Sequence, residues 1–222
     1  MTQIEELEGP SQGPASGTPP KQLVVFCHGL GSDGSDLIGL GHYFSKTLPD
    51  AMFLSPNAPF LFDMAPTGYQ WFSLENASPE ARLIGVQTAA PIINRYIDKK
   101  LKEYNLEDNK LALVGFSQGT MLALHIGLRR DKEIAGIIGY SGSLIAEELL
   151  RTEVVSRPSV LLVHGDTDEI VPPDALKSSV DALVGAGIEA NGEMRPGLGH
   201  SLDDRGILLG MDFLAHCFGV SL

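Results

Sequence analysis

The segment LALVGFSQG, residues 111–119, is the most informative part of the sequence about the fold. Its first four residues are all apolar and predict a buried strand, and the apolar segment after Gln118 predicts a helix. The tight G-x-S-x-G turn between them holds its serine in a strained backbone conformation, so Gly115 and Gly119 must lack side chains to avoid a collision. The Ser117 hydroxyl then projects at the positive end of the helix. We therefore predict that Ser117 is a nucleophile.

Apolar runs alternate with helical patterns along the rest of the chain. Continuous apolar strands between helices are typical of a mostly parallel central sheet with helices on both faces. Together with the serine turn, the pattern predicts an α/β-hydrolase fold. Residues 56–78 show neither period and predict a long loop, and the chain is too short for a large lid domain. Strands are predicted at residues 23–26, 51–54, 111–114, 134–140, 160–163 and 189–194, and helices at 36–48, from 78 onward, 118–130, 145–150, 173–184 and at the C-terminus.

The N-terminal stretch, residues 1–20, is rich in Gly, Pro, Ser and Thr and predicts a flexible tail with no packed structure. Residues 21–222 are then a single domain. The tail lacks the basic start and apolar run of a secretory signal, and no apolar stretch approaches the ~20 residues of a membrane span. Cys27 and Cys217 form neither a disulfide framework nor a metal-ligand spacing. These features predict a cytoplasmic protein without stable membrane insertion.

The charge balance excludes some classes of partner. The 222 residues include 28 acidic and 16 basic side chains, for a formal net charge of −12. Such a surface repels phosphate backbones and anionic lipid headgroups, so we expect no nucleic-acid partner.

A serine nucleophile needs a histidine base, and in this fold the acid and then the histidine follow the serine along the chain. His216 lies in the predicted C-terminal helix, opposite its apolar face, and is expected to meet solvent. His200 lies in a glycine-rich loop, PGLGHS, between the last strand and the last helix. A loop of this kind can bring the imidazole over the serine, so we predict His200 as the base.

The acid is expected at the carboxyl end of the strand at residues 160–163, which runs into HGDTDEIVP. Asp166, Asp168 and Glu169 all meet this condition, and spacing does not separate them. One of them is expected to hold the imidazole, and another to bond the loop backbone.

The segment HGLGSDG, residues 28–34, supports two interpretations. It contains G-x-G-x-x-G between a strand and a helix, the fingerprint of a dinucleotide-binding oxidoreductase. That fold expects an acidic residue about 20 positions further on, whereas the second strand here ends in Ser-Pro-Asn. In a hydrolase, the same loop directs a backbone N–H at the developing oxyanion, and the residue after the nucleophile supplies a second donor. By position these donors are the amides of Leu30 and Gln118.

Six ordered segments, HGLGSDG, SPNAPF, WFSL, GFSQG, HGDTDEIVP and GHS, resemble the phospholipase/carboxylesterase family from about Lys21 to the C-terminus. One departure is Gly119-Thr120, where the family commonly has two glycines. The resemblance implies that Asp168 completes the triad, that the Leu30 and Gln118 amides are the oxyanion donors, and that three residues lie near an apolar acyl groove. These three are Trp71, Ile170 and Val171; for Trp71 a core position is the alternative.

The expected function is a serine carboxylesterase that acts on short-to-medium acyl esters. The apolar residues Phe60, Leu61, Phe62 and Met64 of the long loop favour medium chains. Acyl-protein thioesterase and lysophospholipase activities are alternatives within the same chemistry, and a non-catalytic binding module is a further one. No metal or organic cofactor is implied. The expected partner is a small-molecule or acyl-protein ester, and the resemblance makes a homodimer possible.

Overall fold

A computed structural model describes residues 6–220. Its main sheet has seven strands in the order β1-β3-β2-β6-β7-β8-β9, and β4 and β5 form a separate two-stranded hairpin. All neighbours in the main sheet are parallel except β1 and β3. The strands are β1 (Ser11–Gln12), β2 (Gln22–Cys27), β3 (Ala51–Leu54), β4 (Phe60–Leu61), β5 (Tyr69–Gln70), β6 (Leu111–Phe116), β7 (Gly136–Tyr140), β8 (Ser159–Gly165) and β9 (Ala190–Arg195).

Helices cover both faces of this sheet, as the sequence predicts, and the α/β-hydrolase fold is confirmed. α3, α4 and α6 pack on one face, and α1, α2 and α7 pack on the other. The helices are α1 (Gly34–Ile38), α2 (Leu40–Phe44), α3 (Pro79–Tyr104), α4 (Gln118–Gly127), α5 (Leu150–Glu153), α6 (Asp174–Gly185) and α7 (Asp204–Cys217).

Burial on both faces explains why the central strands are continuously apolar. In β2, Leu23 and Val25 face the cluster under α3 and α4, whereas Val24 and Phe26 face the cluster under α1, α2 and α7. Successive side chains of a strand point to opposite faces, so a strand covered on both faces needs apolar residues at every position.

The prediction of an unpacked tail at residues 1–20 is wrong where the structure describes it. Ser11 and Gln12 pair with β3, and Leu7 is only 9% exposed. The Asn57 N–H donates to the Glu8 carbonyl at 2.7 Å, and the Ser55 N–H donates to the Pro10 carbonyl at 3.0 Å. The physical reason is that β3 would otherwise be the sheet edge, with unpaired backbone groups. Residues 1–5 lie outside the described part of the chain.

Two further elements differ from expectation. The helix predicted at residues 36–48 is divided at Gly39 into α1 and α2. The loop at residues 56–78 contains the β4–β5 hairpin, in which Phe60 pairs with Gln70. By contrast, α3 begins as its cap predicts, because the Ser78 hydroxyl accepts the Ala81 N–H at 3.2 Å. Across residues 6–220, none of the helices combines the length and apolar character needed to cross a membrane.

Candidate active site

The turn between β6 and α4 is strained and tightly packed. Ser117 has φ 54° and ψ −116°, a left-handed conformation that costs free energy in a residue with a side chain. A Cβ atom at position 115 would overlap the Thr120 backbone nitrogen, and one at 119 would overlap the Cys27 carbonyl. The Ser117 N–H donates to the Tyr140 carbonyl at 2.9 Å, which ties the turn to β7. Neighbouring backbone thus fixes the serine conformation, as the motif predicts.

The structure brings the predicted serine, histidine and aspartate together in one hydrogen-bonded chain. His200 Nε2 lies 3.0 Å from Ser117 Oγ, and His200 Nδ1 lies 2.8 Å from Asp168 Oδ2. The Phe116 ring packs beside the imidazole with ring centroids 4.9 Å apart. Since Nδ1 donates to the carboxylate, Nε2 is left as an acceptor facing the serine hydroxyl.

Asp168 is held in a charged, oriented state. Its side chain is fully buried, and Oδ1 accepts the N–H groups of Ile170 and Val171, both at 2.9 Å. Burial by itself raises the pKa of this carboxyl, but the bonds from His200 and from the two backbone N–H groups outweigh it, so the pKa lies below its ordinary value. The aspartate therefore stays ionised beside the imidazole.

The other candidate acids and the second candidate histidine have different positions. Asp166 is exposed and accepts the Gly197 N–H at 2.6 Å, which braces the loop that bears the histidine. This contact matches the second role expected for an acid in this segment. Glu169 is exposed, and His216 is exposed on α7.

The loop after β2 is fixed by a buried histidine that sequence reasoning did not identify as important. His28 Nε2 accepts the Ala58 N–H at 3.0 Å, so Nδ1 must donate to the Gly29 carbonyl, 2.8 Å away. The indole of Trp71 donates to the His28 carbonyl at 2.9 Å. Burial lowers the pKa of His28, which keeps this imidazole neutral and its tautomer fixed.

The two predicted oxyanion donors have N–H groups without a partner in residues 6–220. The Leu30 amide donates to no described acceptor, and the Gln118 amide is in the first turn of α4, where a helix provides none. Both residues and Ser117 line one cavity. Two amides without a protein acceptor beside a serine are what an oxyanion hole requires.

The dinucleotide alternative is wrong. The glycine-rich loop uses its amides internally: Gly31 donates to the Tyr69 carbonyl at 2.8 Å, and Gly34 donates to the Asn57 side chain at 2.8 Å. The helix that follows has five residues rather than the long helix of that fold. These amides are therefore not directed at a phosphate.

The Gln118 side chain has a second role that was not predicted. Its Oε1 accepts the Trp71 N–H at 2.9 Å, and its Nε2 donates to the Phe72 carbonyl at 2.7 Å. The amide is buried, so these bonds attach the segment at residues 71–72 to the helix that begins at the nucleophile. A long polar side chain next to the predicted nucleophile, in a mostly apolar helix, was the available signal.

The cavity beside Ser117 has a volume of about 560 Å³. Ile170 and Val171 line it, as predicted for residues near an acyl groove. Trp71 does not: it is fully buried behind the loop after β2, so the alternative of a core aromatic fits and the groove position is wrong. The other lining residues are Gly29, Leu30, Ser32, Asp36, Leu74, Arg82, Phe116, Ser117, Gln118, Met121, Ser143, Pro172, Ala175 and His200. Within residues 6–220, no group of three His, Cys, Asp or Glu side chains is arranged to hold a metal ion.

Comparison with known proteins shows which family the chain is similar to. The family model described as phospholipase/carboxylesterase matches residues 14–218. Esterase YpfH of Escherichia coli (strain K12) is 25% identical over 89% of this chain and 84% of its own length. Acyl-protein thioesterase 1 homolog 1 of Dictyostelium discoideum is 28% identical over 80% of this chain and 82% of its own length.

Among solved structures, esterase PE8 is 40% identical, with a TM-score of 0.91 over 96% of this chain and 99% of that chain. Arabidopsis thaliana SOBER1 is 22% identical with a TM-score of 0.75, covering 89% of this chain and 99% of its own, and shares the fold. The family match covers most of the sequence, and its relatives include esterases and thioesterases. The chain therefore belongs to the phospholipase/carboxylesterase family and is a serine hydrolase.

Proposed function

We propose that this protein is a carboxylesterase that hydrolyses short-to-medium acyl esters through an acyl-enzyme on Ser117. The observation that supports this most directly is the unbroken hydrogen-bonded chain from the Ser117 hydroxyl through His200 to Asp168. Ser117 and His200 line a cavity whose wall includes the apolar side chains of Leu74, Met121 and Val171. The net reaction consumes one ester and one water and yields one carboxylic acid and one alcohol.

In the first half of the reaction, Ser117 Oγ attacks the ester carbonyl carbon while His200 Nε2 accepts its proton. The carbonyl oxygen becomes an oxyanion that accepts hydrogen bonds from the Leu30 and Gln118 amides. The tetrahedral intermediate then collapses: the bond to the leaving oxygen breaks, and His200 gives that oxygen the proton. The alcohol departs and the acyl group stays on Ser117.

In the second half, water attacks the acyl carbon as His200 Nε2 takes one of its protons. The bond to Ser117 Oγ breaks, the serine regains its proton from the imidazole, and the acid leaves. Asp168 acts throughout by holding Nδ1–H, which keeps Nε2 available and stabilises the imidazolium. The strained serine backbone adds pre-organisation, because it exposes the hydroxyl at the start of α4.

Thioester hydrolysis is the second candidate, because a sulfur leaving group uses the same acyl-enzyme and several relatives are named acyl-protein thioesterases. Lysophospholipase activity is a third. A cavity of about 560 Å³ is in the range that small-molecule ligands occupy, and Leu74, Met121 and Val171 offer an acyl chain an apolar wall. The loop residues Phe60, Leu61, Phe62 and Met64, which the sequence suggested for this role, do not line it. A series of nitrophenyl esters tests the chain length: activity should peak above acetate, and a peak at acetate would contradict the medium-chain assignment. A cytoplasmic location and a homodimer complete the proposal, the former consistent with two free thiols at Cys27 and Cys217.

Active-site labelling with a fluorophosphonate probe tests the nucleophile. Wild type should carry one adduct on Ser117, located by mass spectrometry, and Ser117→Ala should carry none. Ser143→Ala is a matched control, because Ser143 lines the same cavity without contacting His200. Its labelling should equal that of wild type. A well-folded wild type that is not labelled would contradict the proposal and favour a non-catalytic binding role.

A further inference from the structure

The cavity beside Ser117 contains a cation that the proposed mechanism does not use. Arg82, in the first turn of α3, lines this cavity and also a neighbouring one of about 330 Å³ next to Leu144. Its Nε atom is buried and has no hydrogen-bond partner in residues 6–220. Its guanidinium forms no ion pair with any described acid.

The other arginines of the described chain show how unusual this is. Those that are wholly or partly buried all pair with carboxylates: Arg129 with Glu153 at 2.6 Å, Arg130 with Asp108 at 2.6 Å, and Arg195 with an aspartate of the α7 cap at 3.0 Å. The rest are exposed to water, namely Arg95, Arg151, Arg157 and Arg205. Arg82 alone, among residues 6–220, is part-buried without a compensating acid.

A buried donor on a charged group costs free energy when it has no acceptor, and the cost rises in apolar surroundings. The cavity that Arg82 lines has the apolar residues Leu74 and Met121 on its wall. The carboxylate on the cavity wall does not neutralise it, since Asp36 accepts the Ser32 hydroxyl at 2.9 Å and lies outside ion-pair distance of Arg82. Nε of Arg82 therefore finds an acceptor only when a ligand or water enters the cavity.

We propose that Arg82 binds a carboxylate carried by the substrate, so that the preferred substrates are esters with a second, ionised carboxyl group. This inference rests on the proposed esterase activity. A guanidinium matches a carboxylate with two parallel N–H···O bonds and stays charged at all working pH values. It would also offset the repulsion that a chain of net charge −12 exerts on an anionic substrate.

Two matched pairs of esters test the proposal, with acid release followed by pH-stat titration. Ethyl hexanoate is compared with monoethyl adipate, which has the same acyl chain but ends in a carboxylate. Butyl butanoate is compared with the analogue whose butyl chain ends in a carboxylate. The pair whose acidic ester loses activity when Arg82 is replaced shows whether the bound carboxylate belongs to the acyl or the alcohol part of the substrate.

In Arg82→Gln, kcat/KM for the acidic ester of the responding pair should fall about tenfold to a hundredfold, whereas kcat/KM for its neutral partner should change less than about threefold. Arg82→Lys should reduce kcat/KM for the acidic ester less than Arg82→Gln does, because lysine keeps the positive charge but cannot donate two parallel hydrogen bonds. Arg95→Gln, an exposed change on the same helix, should match wild type on all four esters. Equal losses on neutral and acidic esters, or no loss on either acidic ester, would overturn the proposal.

A measurement on wild type covers the case in which Arg82→Gln does not fold. Adipate and its neutral diamide are compared as inhibitors of ethyl hexanoate hydrolysis. Adipate should inhibit at least about tenfold more strongly, and equal inhibition would overturn the proposal. A folded wild type that hydrolyses none of the four esters contradicts the proposed function and this inference with it. One that hydrolyses neutral esters independently of Arg82 contradicts this inference alone.

Discussion

The turn around Ser117 and the segment at residues 56–78 both reach the cavity, but they are held in different ways. The turn is packed closely against neighbouring backbone, so that neither Gly115 nor Gly119 has room for a methyl group. The segment is held by a hairpin of two-residue strands, and its Leu61 and Met64 side chains are each 72% exposed. Backbone packing thus fixes the reactive groups, whereas the segment contributes a replaceable side chain, Leu74, to the cavity wall.

The largest expected effect is on the reactive groups themselves. Asp168→Asn should lower kcat for a neutral ester by about 10⁴, because an amide no longer stabilises the Nδ1–H tautomer of His200. Steady-state kinetics measures the loss, and circular dichroism checks the fold. Asp166→Asn is the matched control and should retain activity within about tenfold, since its contact is with the loop backbone. A similar loss in both variants would mean that the two acids act only by bracing the loop.

The same variant has an expected pH signature. The pKa of Asp168 in the folded protein lies below its ordinary value of 3.8, so the ionised carboxylate stabilises the fold above that pH. This stabilisation is lost as the pH falls through the lower, folded-state pKa. The difference in unfolding free energy between wild type and Asp168→Asn should therefore shrink as the pH is lowered below about 4. Chemical denaturation across pH measures it, and a difference that grows in acid would contradict the assignment.

Gly119→Ala should be the most destabilising single methyl addition in the turn. The added carbon would overlap the Cys27 carbonyl of β2, and backbone cannot move aside easily, so we expect a loss of about 3 kcal/mol or more. Urea unfolding measures it. Gly39→Ala is the control: its φ of −57° suits alanine and no atom lies within 4 Å, so stability should change by less than about 1 kcal/mol. Equal effects at the two positions would refute the idea of a backbone-locked turn.

Gln118→Met tests the connection between the two regions. It removes the bonds to the Trp71 N–H and the Phe72 carbonyl and leaves both groups buried, at an expected cost of about 1–3 kcal/mol. Gln87→Met, at an exposed position of α3, should change stability by less than about 0.5 kcal/mol. Thermal unfolding compares the two, and equal stability would show that the segment is held without this amide.

The smallest effect on stability is expected at the cavity wall. Leu74→Ser should lower the free energy of unfolding by about 1 kcal/mol at most, because the side chain is half-buried on the cavity wall. It should nevertheless reduce the preference for longer acyl chains in the nitrophenyl ester series. A large loss of stability with no change in chain-length profile would reverse the roles that we assign to the two regions.

Most of the fold, Ser117 and His200 could be predicted from local rules, whereas Asp168 was selected among three acids only through the family resemblance. An apolar strand followed by G-x-S-x-G specifies a turn, and strand alternation specifies a covered parallel sheet. The long-range partners were less accessible. Trp71 looked like a groove residue, but its indole bonds a loop 43 positions away. The roles of His28 and the Gln118 side chain depend on buried backbone groups that no local pattern reveals.

The prediction for the N-terminal residues failed for the opposite reason. Their composition is that of a disordered segment, yet Ser11 and Gln12 form the outermost strand of the main sheet. Their order comes from the unpaired edge of β3, which lies about 40 positions further along the chain. Composition predicts how a segment behaves in isolation, whereas this segment is ordered by its contact with the rest of the fold.

The short antiparallel strand β1 limits how two molecules of this protein can associate through their sheets. A parallel sheet that ended at β3 would present a row of free amides and carbonyls, on which a second molecule could extend the sheet. The addition of β1 reverses the strand direction at that border and limits the available pairing to two residues. At the opposite border, β9 has the polar residues Asn191 and Glu193. The two-residue β1 and the polar side chains of β9 thus disfavour extension of the sheet at both borders.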